Sequence, residues 1–286
     1  MTTPLRLGIA GLGTVGTGTV KIVRQKAHLL AVRAGRPIEI SAVSARTRDK
    51  DRGVNLAAYD WEDDPVALAK RDDVDVFVEL MGGSDGPAKA ATEAALKAGK
   101  DVVTANKAML ALHGQELAQL AEDHGAVLRF EAAVAGGIPV IKSLTEGLAG
   151  NGVARVLGVM NGTCNYILTR MESAGLPYDT VFEEANQLGF LEADPELDVG
   201  GIDAGHKLAL LSSIAFGTQV NFAGVELEGI GRILIEDIRA AADRIAGRKR
   251  EFDANASALH PDFLEGEEQL EAAQPEAPGE YLQGLG

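Results

Sequence analysis

Acidic residues precede a lysine in the second half of the chain, in the segment "FLEADPELDVGGIDAGHKLALL". Lys207 follows Asp203 by four residues, and residues at that spacing on a helix share one face. A lysine in an apolar run loses hydration and can exchange a proton with a substrate. Neighbouring carboxylates suit a substrate that carries an ammonium group. Four of them come before Asp203: Glu192, Asp194, Glu196 and Asp198.

A structural role explains the same spacing. Asp203 can cap the helix that follows it, and Lys207 can form an ordinary ion pair with it one turn later. Spacing alone leaves both interpretations open.

A second lysine, Lys107, follows the apolar run "DVVTA" in the segment "TANKAML". Ligands of open α/β sheets bind beyond the carboxyl ends of the strands. If this run is a strand of such a sheet, Lys107 lies beside the ligand. The alternative is a solvated surface lysine.

The first 130 residues contain the elements that must position these side chains. Amphipathic stretches separate short apolar runs, and Pro65, Pro87 and Gly99 stand where helices begin or end. This alternation predicts a Rossmann-type doubly wound parallel sheet. The runs that predict its strands are "LRLGIA", "IEISAVSA", "VDVFVEL", "DVVTA" and "AVLRFEA".

A glycine-rich turn, "GLGTVG", links the first predicted strand to a helix. Gly11 permits a tight turn, Gly13 lets the backbone approach a pyrophosphate, and Gly16 allows close helix packing. Thr14 and Val15 lie at the helix N-terminus, where unpaired amides favour phosphate. We therefore predict a dinucleotide cofactor at this turn.

The second predicted strand runs into the basic segment "VSARTRDK". Arg46 precedes any carboxylate there, and an arginine at this place suits a ribose 2′-phosphate. The segment favours NADP over NAD, with a solvated basic loop as the alternative.

After residue 130 the pattern changes to a helix from Pro139, a strand "VARVLGVM" and several further helices. We predict a dinucleotide-binding domain over residues 1–130 and a second, α+β domain over 131–246. Residues 247–286 form a predicted acidic, poorly ordered tail, because nine acidic residues and no lysine or arginine occur from Glu251 onward.

Composition excludes several classes of protein. A net charge of −15 argues against nucleic-acid binding, and no apolar run reaches the ~20 residues of a membrane span. The single cysteine, Cys164, favours a reducing compartment such as the cytoplasm and is interpreted as a packed thiol. The five histidines show no metal-binding spacing.

Taken together, the motifs resemble those of homoserine dehydrogenases over roughly residues 5–233. The matching strings, in order, are "GLGTVG", "VELMGG", "VVTANKA", "FEAAVAGGIPVI", "NGTCNYILTRM", "EADPELDVGGIDAGHKLALL" and "VELEGIGRI". The resemblance implies reversible reduction of L-aspartate 4-semialdehyde to L-homoserine with NAD(P)H, in threonine and methionine biosynthesis. It also implies a small-molecule substrate and a homodimer formed through the second domain.

The resemblance also implies residue roles. Lys207 is the expected proton donor and Lys107 lies near nicotinamide and substrate, although the sequence leaves open which lysine delivers the proton. The substrate amine is expected at Glu192 and Asp203, within the acidic segment that includes Asp198. Gly189 is expected to contact the cofactor through its backbone. A monovalent cation such as sodium is expected on oxygen atoms of Glu131, Val134, Gly136 and Ile138.

The chain departs from the family pattern after "GIGRI". The family continues with strands and a "GRGAGG"-like segment that returns over the cofactor, whereas this chain continues with "LIEDIRAAADRI" and the acidic tail. Two alternatives to the family activity follow. One is a cofactor-binding homologue with impaired turnover, and the other is a dehydrogenase of another amino acid or semialdehyde.

Overall fold

A computed structural model describes residues 2–191 and 194–245 of the chain. The chain divides into two compact units. One comprises Met1–Asn165 and Leu191–Ile230, and the other comprises Tyr166–Phe190 and the residues from Gly231 onward. Glu192 and the predicted acidic tail lie outside the described residues. The predicted domain boundary after residue 130 stays a prediction.

The first unit contains a six-stranded sheet in which every pair of neighbouring strands is parallel. Its spatial order is β3-β2-β1-β4-β5-β6. The predicted Rossmann-type doubly wound sheet is therefore confirmed, and only the short edge strand β3 was not predicted. The strands are β1 (Leu5–Ala10), β2 (Ile38–Ser44), β3 (Asp60–Trp61), β4 (Val76–Glu79), β5 (Asp101–Thr104) and β6 (Leu128–Arg129).

Helices connect the strands and make up most of the remaining regular structure. They are α1 (Thr14–Gln25), α2 (Ala27–Ala34), α3 (Pro65–Lys70), α4 (Pro87–Lys97), α5 (Lys107–Asp123), α6 (Glu131–Val134), α7 (Val140–Lys142), α8 (Gly162–Ala174), α9 (Tyr178–Gln187), α10 (Glu196–Val199) and α11 (Ile202–Phe216). A π-helical turn, Ser143–Gly147, follows α7, and residues 235–245 are helical.

Local capping explains where the helices of the sheet domain begin. The Asp64 carboxylate accepts a hydrogen bond from the amide of Val66 at 2.9 Å, and Pro65 occupies the first helical position of α3. Pro87 likewise occupies the first helical position of α4, where the N-cap residue is Gly86. These starts agree with the sequence prediction.

The two faces of the sheet are covered differently. Phe77 and Val102 point into a core formed with α3, α4 and α5. Val76 and Val78 alternate to the opposite face, where α1 contributes Val20. The adjacent Val103 of β5 is 41% exposed, and a groove of about 530 Å³ runs along this face. Thus the described residues leave the β5 side of this face partly uncovered.

The predicted strand "VARVLGVM" is wrong. Residues 153–160 are not in a sheet, since they pair with no strand among the described residues. Leu157 and Val159 are exposed there. A strand is stabilised by hydrogen bonds to a neighbour, and its β-branched composition alone does not supply one.

Candidate active site

The glycine-rich turn follows β1 directly and has the geometry expected of a cofactor turn. Gly11 has a φ of 96°, and a Cβ atom there would overlap the backbone of Leu80 and Met81. A Cβ on Gly16 would overlap the carbonyl oxygen of Gly11. A Cβ on Gly13 would have no described atom within 4 Å, so a ligand can approach the backbone there. Gly11 and Gly16 therefore have the steric constraints expected of them, and the pyrophosphate contact at Gly13 stays a prediction.

A crevice lies where the strand order reverses, between the carboxyl ends of β1 and β4. Helix α1 begins here at Thr14, and no side chain within the described part of the chain caps its amides. Unpaired amides and the helix dipole favour a pyrophosphate at this position, so the residues fit a dinucleotide. A cavity of about 200 Å³ opens here, and it is lined by Val15, Leu80, Met81, Gly82, Ala105 and Asn106.

Basic residues follow β2 at the same edge of the sheet. Arg46 is exposed two residues after the strand ends at Ser44. The guanidinium groups of Arg48 and Arg52 lie 5.9 Å and 5.6 Å from the centroid of the Trp61 ring, within cation–π range. The cationic loop thus lies where a Rossmann domain binds the adenosine ribose, and the role of Arg46 stays a prediction.

The two predicted lysines meet at one buried carboxylate. Lys107 is the first residue of α5, and its Nζ lies 2.5 Å from Asp203 Oδ1. The Nζ of Lys207 lies 2.8 Å from Asp203 Oδ2 and donates to the carbonyl oxygen of Met160 at 2.7 Å. Asp203 is only 4% exposed. Since Lys107 directly follows Asn106, which lines the crevice, the two ion pairs lie beside the candidate cofactor site.

The expected i,i+4 pair between Asp203 and Lys207 is therefore present, but the capping role is not. Gly201 occupies the N-cap position of α11, and within the described chain no side chain bonds to the amides of this helix end. The Asp203 carboxylate instead contacts the two lysines.

An asparagine completes the arrangement around Asp203. The Nδ2 atom of Asn161 donates to Asp198 Oδ1 at 2.9 Å and to Asp203 Oδ2 at 3.0 Å. Both aspartates and Asn161 are buried. Burial raises the pKa of Asp203, but hydrogen bonds from Lys107, Lys207 and Asn161 outweigh it, so the net pKa is lowered. Asp203 is accordingly an anion at neutral pH.

Two further groups border the acidic pair. Burial raises the pKa of the Cys164 thiol, and the charges of Asp198 and Asp203 raise it further. The Cys164 Sγ atom donates to the carbonyl oxygen of Asp198 at 3.2 Å, so the cysteine is a packed thiol as predicted. Burial also lowers the pKa of His206, which lies against the ring of Phe222. Neither group has the character of a reactive nucleophile or a cation at neutral pH.

Comparison with known protein families identifies the chain. The model "Homoserine dehydrogenase, NAD binding domain" matches residues 11–131, and the model "Homoserine dehydrogenase" matches residues 139–274. The chain belongs to the homoserine dehydrogenase family. The resemblance predicted from the motifs is thus confirmed, and the sheet domain is the NAD-binding domain of that family.

Individual homoserine dehydrogenases are similar over most of the chain. The enzyme of Neisseria gonorrhoeae is 46% identical over 240 residues, which are 84% of this chain and 55% of that protein. The crystal structure of the Thiobacillus denitrificans homoserine dehydrogenase has a TM-score of 0.81 and 42% identity, covering 84% of this chain and 56% of that one. The chain therefore spans little more than half the length of these relatives.

A hyperthermophilic archaeal homoserine dehydrogenase solved in complex with NADPH is a more distant neighbour. Its TM-score is 0.68 at 28% identity, and the match covers 81% of this chain and 75% of that one.

The cation ligands that the family resemblance implies lie in one short segment of the chain. Both carboxylate oxygens of Glu131 accept backbone hydrogen bonds, from Ile141 at 2.8 Å and from Lys142 at 2.9 Å. The carboxylate therefore already stabilises the start of α7. This arrangement does not require a cation, and a site formed with oxygens of Val134, Gly136 and Ile138 stays a prediction.

Two other positions that the resemblance implies are Glu192 and Gly189. Glu192 is outside the described residues. Gly189, which belongs to the second unit, has a φ of 72° and ends α9, where its amide donates to the carbonyl oxygen of Asn186. Its cofactor contact stays a prediction.

Sequence reasoning missed two buried polar residues at this site. Asn161 begins the string "NGTCNYILTRM", where an amide beside an apolar stretch signals a buried hydrogen-bonding role. Glu79 stands at the end of the otherwise apolar run "VFVE" and is 0% exposed. A charge at the carboxyl end of a central parallel strand was the available signal.

No helix in the described part of the chain is long and apolar enough to cross a membrane.

Proposed function

We propose that this chain catalyses the reversible, NAD(P)-dependent oxidation of L-homoserine to L-aspartate 4-semialdehyde. The observation that carries the proposal is the buried Asp203 carboxylate, which joins Lys107 and Lys207 beside the dinucleotide crevice. Family membership indicates the reaction, and the lysines are groups that can transfer a proton to or from the substrate oxygen.

Substrate binding requires an anion for the ammonium group of homoserine. Asp203 Oδ2 already accepts from Lys207 and Asn161, and Oδ1 contacts Lys107. A carboxylate has about four acceptor sites, so we place the substrate ammonium on Oδ1 beside Lys107. The side chain of Lys107 is 31% exposed and that of Lys207 is 19% exposed, so we assign Lys107 a contact with the bound substrate and the nicotinamide. We assign Asp198 and Glu192 supporting roles in the same anionic pocket.

A nicotinamide cofactor held at the turn of Gly11, Gly13 and Gly16 would supply hydride transfer to and from the substrate carbon. We assign the proton transfer to Lys207: its ammonium group would donate a proton to the aldehyde oxygen in the reductive direction, and the neutral amine would accept the alcohol proton in the oxidative direction. Its bonds to Asp203 Oδ2 and to the Met160 carbonyl fix the ammonium group in place. The ammonium group also stabilises negative charge that develops on the oxygen.

We infer a preference for NADP over NAD. Arg46 follows β2 in an exposed cationic loop, and an arginine there can form charge-assisted hydrogen bonds with a 2′-phosphate. The NADPH complex of the archaeal homoserine dehydrogenase agrees with this choice.

Four further properties are inferred from the family resemblance and composition. The resemblance implies a role in threonine and methionine biosynthesis, a homodimer and a bound monovalent cation. The single cysteine favours a cytoplasmic location.

A substrate panel tests the proposed reaction. Initial rates of NADP⁺ reduction are measured with L-homoserine, L-serine, L-aspartate and a short alcohol that lacks the amine. We expect turnover with L-homoserine alone. Faster turnover of another amino acid would identify a different dehydrogenase. Absence of turnover with intact NADPH binding would identify a cofactor-binding homologue.

A further inference from the structure

The sheet positions a buried carboxylate between the cofactor turn and Lys107. Glu79 ends β4 and is 0% exposed. Its Oε1 atom accepts hydrogen bonds from the amides of Met81 at 2.7 Å and Gly82 at 3.2 Å. Its Oε2 atom accepts from the hydroxyl of Thr104 at 2.6 Å. A fully buried carboxylate is costly unless such bonds satisfy it, so its position is closely determined.

The two oxygens of Glu79 contact two different parts of the site. Through Oε1 it holds the turn at Met81 and Gly82. The backbone of Leu80 and Met81 lies so close to Gly11 that no Cβ fits there. Through Oε2 it holds Thr104, the last residue of β5. The neighbouring carboxyl ends of β4 and β5 are thereby joined by a single side chain.

A second contact of Thr104 reaches the N-terminus of α5, which begins at Lys107. The hydroxyl of Thr104 accepts a hydrogen bond from the amide of Asn106 at 3.0 Å. Asn106 caps α5 by accepting from the amide of Met109 at 3.1 Å, and its Nδ2 donates to the carbonyl of Gly83 at 2.7 Å. Lys107 is the next residue. The Thr104 hydroxyl therefore contributes to fixing the N-terminus of α5, where Lys107 is the first residue.

We propose that Glu79 is a positioning residue that places Lys107 for catalysis through Thr104 and Asn106. This inference rests on the proposed function for its kinetic readout. Glu79 itself has no direct role in proton transfer, because it is enclosed by its three donors. A displacement of about 1 Å at a catalytic group can cost roughly 100-fold in rate, so a small shift of α5 suffices for a large effect.

The variant Glu79→Gln distinguishes the contacts of Oε1 from the contact of Oε2 with Thr104. Its amide oxygen can still accept from Met81 and Gly82, whereas its NH₂ group donates to Thr104 and leaves the hydroxyl proton without its acceptor. We expect kcat with L-homoserine to fall about 10- to 100-fold, while the Kd of NADPH changes less than about threefold. Thr104→Val should behave alike, and Thr104→Ser, which keeps the hydroxyl, should restore most of the turnover.

A second background distinguishes positioning from general damage. In a Lys107→Ala background, Glu79→Gln should lower the residual kcat by less than about threefold, because the group that it positions is gone. An equal loss in both backgrounds would contradict the inference. So would a Thr104→Ser variant as impaired as Thr104→Val, or a loss of NADPH affinity that matches the loss of kcat.

Hydrogen exchange gives a readout that does not depend on turnover. Glu79→Gln should accelerate exchange of the amides in residues 105–110 and leave residues 39–44 of β2 unchanged. If the wild-type chain fails to oxidise homoserine, the proposed function fails, and this comparison alone decides the role of Glu79. Unchanged exchange in residues 105–110 would refute it. If Glu79→Gln does not fold, the same measurement on Thr104→Val against Thr104→Ser decides.

Discussion

Replacing Asp203 by asparagine tests the central electrostatic feature of the site. The substitution keeps the shape of the side chain and one acceptor oxygen, but removes the charge that Lys107 and Lys207 share. The new NH₂ group must also face one of the two ammonium groups. Two cations are then left close together without their common anion.

The expected cost follows from the bonds that are lost. A hydrogen bond to a charged group contributes about 1.5–3 kcal/mol, and breaking a buried ion pair costs about 3–5 kcal/mol. The lysines retain partial contact with water, and the amide oxygen keeps one bond. We therefore expect the free energy of unfolding to fall by about 2–4 kcal/mol at neutral pH. For a chain of this size that lowers Tm by roughly 5–15 °C.

The pH dependence of this cost has a definite sign. The folded-state pKa of Asp203 is lowered, because the hydrogen bonds from Lys107, Lys207 and Asn161 outweigh the effect of burial. Its contribution to stability is therefore complete above the unfolded-state value of ~3.9 and is lost as the pH falls through the lower folded-state value. The stability difference between wild type and Asp203→Asn should be constant from about pH 5 upward and shrink in stronger acid.

Denaturant unfolding of both proteins across this pH range measures the difference. Glu226→Gln is a matched control, since Glu226 is an exposed carboxylate in the same compact unit, and it should change stability by less than ~0.5 kcal/mol. Asp203→Asn with wild-type stability at neutral pH would refute the reasoning. A stability difference that persists undiminished in strong acid would refute the assignment of the charge.

Three other substitutions test the candidate residues. Lys207→Ala should lower kcat more than about 100-fold and leave NADPH affinity nearly intact by titration, whereas normal turnover would contradict its assignment. Arg46→Ala should weaken NADPH binding about 10- to 100-fold more than NADH binding, and equal losses would exclude the 2′-phosphate contact. Gly16→Ala should abolish cofactor binding because its Cβ would overlap the Gly11 carbonyl, whereas Gly18→Ala, which has open space, should bind normally in the same titration.

Much of the sheet domain could be predicted from the sequence because its signals are local. β1 coincides with the run "LRLGIA", and the glycines of the first turn have the steric constraints that their spacing predicts. Local sequence patterns gave a wrong prediction where the conformation of a segment depends on a neighbouring strand. The composition of "VARVLGVM" suits a strand, yet no neighbouring strand among the described residues accepts its hydrogen bonds.

The candidate site was predictable only in part for the same reason. Lys207 and Asp203 are one helical turn apart, so their pairing was visible in the sequence. Lys107 lies almost a hundred residues earlier, and its contact with Asp203 depends on how α11 packs against α5. The contacts of Asn161 with Asp198 and of Glu79 with Thr104 span 37 and 25 residues, and their residue types alone do not reveal them.

The most direct test of the proposed activity is homoserine-dependent reduction of NADP⁺ by the wild-type chain, followed through the absorbance of the reduced nicotinamide at mildly alkaline pH. Asp203→Asn measured in parallel provides the background rate. We predict steady reduction with L-homoserine that D-homoserine does not support and that Asp203→Asn largely loses. No reduction above this background, from protein that still binds NADPH, would contradict the account.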